Sequence, residues 1–65
     1  MNYVELIRDG KLRYQRELRG WGQERLAKAV GVSTKTISRW ERGETLPYPF
    51  YGKRLENIFD KGQQA

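Results

Sequence analysis

Between Gln23 and Arg42 the chain reads QERLAKAVGVSTKTISRWER, and its apolar residues form two short groups at helical spacing. Leu26, Ala27 and Val30 make the first group. Ile37 and Trp40 make the second, with Val32 just ahead of it. Gly31 lies between them and suits the left-handed conformation that ends a helix. Ser33 is a candidate N-cap for the second group. The pattern predicts one helix over 23–30 and another over 34–41. A turn this short cannot lay the two side by side, so they must cross steeply.

The flanking sequence supplies support for that pair. Over 2–9, Tyr3, Leu6 and Ile7 can share a helical face, and Gly10 interrupts them at a cost of about 1 kcal/mol if it lies mid-helix. Either one bent helix or an arm followed by a helix from Lys11 accommodates this. Residues 11–19 form a basic helix whose expected apolar members are Leu12 and Leu18, stopped by Gly20. Trp21 is expected as a buried anchor, and Gly22 as a weak N-cap. Gly43 ends the helix over 34–41. Residues 44–49, ETLPYP, cannot be regular helix, because each proline pushes its predecessor toward extended geometry. Pro49 suits the first position of a last helix that carries Leu55, Ile58 and Phe59. Gly52 predicts a kink in that helix, or two short pieces. Residues 61–65 read as a tail or the start of a linker.

These elements predict an all-α bundle of four to five helices, a single domain over 1–65 built on a helix-turn-helix core at 23–42. With 65 residues and no cysteine or histidine, the chain has one small core and no disulfide or zinc staple. Its 37% hydrophobic content suits a folded domain better than a disordered tail. The longest apolar run is far too short to span a membrane, and the amino-terminal segment lacks the apolar stretch of a signal peptide. The net charge of +5 changes the picture more, since it suits a polyanionic partner. Solubility alone is the plainer explanation of that charge.

The helix over 34–41 divides into two faces. Ile37 and Trp40 point inward, which leaves Thr34, Lys35, Ser38 and Arg39 outward. The major groove of B-form DNA, about 12 Å wide, admits such a helix with its leading turn against base edges. Lys35 and Arg39 can donate to guanine, Ser38 can donate or accept, and the Thr34 methyl can meet a thymine methyl. The alternative is a merely solvated helix face. Gln23 opens the preceding helix, where free N–H groups and the helix dipole favour phosphate. Arg42 is a second phosphate candidate, although a cation at a helix C-terminus is also ordinary dipole chemistry.

Taken together, Gln23, Leu26-Ala27, Gly31-Val32-Ser33, Ile37-Ser38, Trp40-Glu41-Arg42-Gly43 and Pro47 resemble the helix-turn-helix of the phage repressor and Cro-type regulators, the Xre family. The likeness runs from about Leu12 to Phe59. It implies sequence-specific binding of double-stranded DNA by a transcriptional regulator, a repressor, located in the cytoplasm. It implies base reading at Thr34, Lys35, Ser38 and Arg39, and phosphate contacts at Gln23 and Arg42. It also implies that Arg16 pairs with Glu41; two exposed charges are the alternative. The sequence departs from the pattern at Gln15, where an apolar residue is usual, at Leu18, where polarity is common, and at Gly22, where serine or threonine usually caps.

A second function class stays open. The same fold can serve as a protein-interaction module, an antitoxin subunit or a bridging domain, with the aromatic segment 48–51 as its contact. Tyr48, Phe50 and Tyr51 are therefore either core or an exposed patch, with at least one expected in the core. A homodimer, or attachment to a larger chain, would raise the affinity of so small a reader. An enzyme is not expected: no residue set has metal-ligand spacing, no glycine-rich phosphate loop is present, and no nucleophile stands beside a base. No cofactor, metal, small-molecule substrate or membrane partner is expected either.

Overall fold

The computed structural model describes residues 2–61. Five helices follow one another, α1 (Tyr3–Arg8), α2 (Lys11–Leu18), α3 (Gln23–Val30), α4 (Thr34–Glu41) and α5 (Pro49–Lys61), with no strand among the described residues. The fold is the small all-α bundle that the apolar pattern predicts. α3 packs on α4, α1 packs against both α2 and α5, and α2 and α5 close the far sides of the crossing pair.

Local signals account for most boundaries. The Asn2 side chain accepts from the backbone N–H groups of Val4 and Glu5 and starts α1. Gly10 separates α1 from α2, which resolves the amino-terminal segment as two helices. The Ser33 hydroxyl accepts from the Thr36 N–H at 3.1 Å and starts α4. α4 ends in a Schellman turn. Gly43, at φ 72°, takes the left-handed position, its N–H donating to the Trp40 carbonyl while the Glu44 N–H donates to that of Arg39.

Each helix contributes to one core. Leu12, Leu26, Val30, Ile37, Leu55 and Phe59 are fully buried, with Leu6, Ile7, Ala27 and Trp40 nearly so. Burying each large side chain stabilises the fold by about 1.5–3 kcal/mol. Trp21, Val32, Tyr51 and Ile58 are partly buried against this cluster.

Three expectations need correction. Leu18 is 60% exposed and faces solvent. At about 100° per residue the inward face of α2 runs through Leu12 and Arg16, and Leu18 points away from both. The interior position that an apolar pattern would reveal is filled by a charged residue. Second, α5 is one continuous helix with no break at Gly52. Gly52 is buried because the Tyr3 ring lies on it: a Cβ there would stand 2.5–2.6 Å from that ring. The glycine is a contact surface for α1, and the alternative of two short pieces is excluded. Third, the expected tail begins inside α5, which includes Lys61; residues 62–65 lie outside the described residues.

Candidate nucleic-acid interface

The geometry of the site starts at Glu41, the last residue of α4. Arg16 reaches it from α2 with two parallel hydrogen bonds, Nε to Oε2 at 2.6 Å and Nη2 to Oε1 at 3.2 Å. The third guanidinium nitrogen, Nη1, donates to the Trp21 carbonyl at 2.8 Å. Both side chains are more than nine-tenths buried. The Glu41 hydrogen bond raises the Arg16 pKa and outweighs the opposing effect of burial. Gln23, at the head of α3, donates from Nε2 to Glu41 Oε1 at 2.9 Å. One carboxylate thus joins α2, α3 and α4.

That junction fixes α4 from behind and leaves its outer face open. Thr34, Lys35 and Arg39 are exposed, and Ser38 is half-buried. Ser38 Oγ accepts from Arg42 Nη1 at 2.7 Å, while Arg42 Nε donates to Glu44 at 2.5 Å. Lys35 and Arg39 therefore share the outer face, with Thr34 exposed in the leading turn and Ser38 and Arg42 joined beside them. Gln23 lies at the start of α3, and its amide nitrogen is engaged by Glu41.

The Arg42–Glu44 pair is exposed, at 57% and 50% for the two side chains, so it is displaceable. Its hydrogen bond pulls the Glu44 carboxyl below its ordinary range, and raises Arg42.

Not all of the basic charge serves an external surface. Arg19 donates to the Gln15 and Phe59 carbonyls and lies 4.7 Å over the Phe59 ring. Arg54 donates to the Val30 carbonyl at the end of α3. These cations hold helices together, a role that charge patterning in the sequence does not reveal. The aromatic segment divides likewise. Tyr51 packs against the core, while Tyr48 is 79% exposed and Phe50 62% exposed.

Among the described residues no helix is long and apolar enough to cross a membrane, and no acidic, histidine or cysteine cluster could hold a metal.

Two helices packed on each other across a short turn, a polar outward face on the second and a buried fork behind it define a helix-turn-helix domain. A helix-turn-helix family profile matches residues 12–62. The chain belongs to this family, the Cro/C1 or Xre type, whose members are DNA-binding transcriptional regulators. It is 40% identical over 57 residues to an uncharacterized HTH-type transcriptional regulator of Methanocaldococcus jannaschii, covering 75% of this chain and 86% of that one. It is also similar to larger proteins that carry the name HTH-type transcriptional regulatory protein. One from Pyrococcus furiosus is 41% identical over 51 residues, covering 78% of this chain and 16% of its own length. Another from Pyrococcus abyssi is 39% identical over 60 residues, covering 91% and 18%. The chain thus spans less than one fifth of the length of these two Pyrococcus relatives. No solved structure matches it.

Proposed function

We propose that this chain is the sequence-reading module of a transcriptional repressor, with α4 in the major groove of its operator. Thr34, Lys35, Ser38 and Arg39 face base edges. Gln23 and Arg42 contact phosphates on either side, Gln23 at the N-terminus of α3, where the helix dipole favours an anion. The observation that carries this reading is the division of α4. Ile37 and Trp40 are 0% and 4% exposed, while Lys35 and Arg39 are exposed on the opposite side and Thr34 is exposed in the leading turn. Phosphate contacts set register and affinity, and the outward face sets selectivity. Two copies on half-sites about 34–36 Å apart would multiply the modest affinity of one.

Selection from random duplexes, with binding followed across salt, tests the reading. It should return a defined motif, with two-fold symmetry if two copies bind together. A protein that enriches no motif is not a sequence reader.

The exposed Tyr48 and Phe50, with Leu46 at 44% exposure, support a second reading as a protein-interaction module. Replacing Tyr48 and Phe50 with serine would then abolish function while leaving DNA binding intact.

A further inference from the structure

We propose that the cleft between the end of α1 and the turn after α4 is an additional DNA-phosphate site, built by Arg8 and Arg42, with Glu44 as its internal competitor. The proposal rests on the DNA-binding reading above and deepens it.

Arg8 is the last residue of α1 and Arg42 directly succeeds the last residue of α4, yet both line the same open cleft, together with Gly43 and Glu44. A guanidinium presents planar, paired donors that match the oxygens of a phosphodiester. Two of them on one cleft make a clamp for the phosphate backbone. The backbone that carries Arg8 is anchored, because its neighbour Ile7 is 2% exposed in the core. Among the described residues Arg8 makes no ion pair, so its head is available. The cleft is continuous with the reading face, since Arg42 also donates to Ser38. α1 precedes the residues that the family profile matches, so this contact is an addition to the shared frame.

Glu44 supplies the other half of the inference. Its backbone N–H is fixed on the Arg39 carbonyl, and its carboxylate accepts from Arg42 Nε. It occupies the donor that a phosphate oxygen would need. An incoming phosphate must displace this carboxylate and then tolerate its charge nearby. Phosphate contacts carry no base information, so Glu44 weakens binding to every sequence alike and leaves base preference unchanged.

The test uses the full chain, the selected duplex and a scrambled one, each titrated across salt, with melting curves for every variant. Arg8→Gln should weaken binding to both duplexes equally. It should lower the salt exponent by about 0.9, so that between 50 and 200 mM salt the wild-type advantage shrinks about 3.5-fold. Arg8→Lys should keep the exponent and lose part of the affinity. Glu44→Gln should tighten binding to both duplexes several-fold with the same motif. Lys53→Gln, an equal charge change on α5, should have a smaller effect than Arg8→Gln.

If Arg8→Gln leaves affinity and exponent at wild-type values, or Lys53→Gln matches it, the clamp is wrong. If Glu44→Gln does not tighten binding, the competitor is wrong. A wild-type protein with no sequence preference sinks the regulator reading itself, whereas a clear motif with an unaffected Arg8→Gln variant sinks only the cleft.

Discussion

Arg16 grips both oxygens of Glu41 and spends its remaining guanidinium nitrogen on the Trp21 carbonyl, so that one side chain ties α2 to α4 and to the turn before α3. Removing one partner strands a buried charge, which costs about 3–5 kcal/mol. Arg16→Met should therefore lower the melting temperature by about 12 °C or more. Arg16→Lys should rescue little, because an ammonium cannot make the two-point contact. The Arg16→Met/Glu41→Leu pair should recover part of the loss and no more, since the Trp21 carbonyl and the Gln23 amide lose their partner. A melting temperature unchanged in Arg16→Met would show that the fork does not hold the fold.

Lys35→Ala and Arg39→Ala should leave the melting temperature nearly unchanged, because both residues are exposed. Each should cost about 1–3 kcal/mol in binding to the selected duplex and relax the motif at one position. Competition binding with single-base variants of the motif reads this directly. Equal weakening on specific and scrambled duplexes would instead mark them as phosphate contacts.

Gly52→Ala should destabilise the fold although alanine is the better helix former. The added methyl meets the Tyr3 ring at 2.5–2.6 Å, an overpacking worth about 1–3 kcal/mol against a helix-propensity gain of about 1 kcal/mol. In a Tyr3→Ala background the clash is absent, and the same substitution should become stabilising. Urea unfolding of the four proteins in this cycle checks the change of sign.

The Glu44 carboxyl should titrate below the ordinary glutamate value of about 4.5, and Arg42→Gln should return it upward. Its folded pKa is depressed, so whatever the pair contributes is present above the unfolded value and is lost as pH falls through the lower folded one. Carboxyl NMR shifts tracked through acid pH measure both. A Glu44 titration unmoved by Arg42→Gln would mean that the pair does not form in solution.

The turn at the centre of the fold was legible because its instructions are local. Gly31, Ser33 and the Ile37/Trp40 spacing each act within a turn of where they stand, and α3 and α4 begin and end where they predict. Pro49 likewise opens α5. The misreadings have two causes. Arg16 fills an interior position without being apolar, so the inward face of α2 was invisible to a hydrophobic pattern. Gly52 looked like a break because its partner, Tyr3, lies 49 residues away. Arg8 carried no signal for the same reason: only the tertiary fold brings it to the cleft that Arg42 lines. The outward face of α4 could be drawn from spacing alone, but the joining of Ser38, Arg42 and Glu44 could not.

The triple hold on Glu41 has a consequence for how such a domain diversifies. Orientation is assigned to Arg16, Gln23 and Glu41, while Thr34, Lys35 and Arg39 have no part in that junction. Changing the three exposed residues therefore leaves that junction untouched. On the proposed reading, a new recognition surface could be grafted onto α4 without refolding its support, and drift at those positions would redirect the protein to another target before it threatened stability.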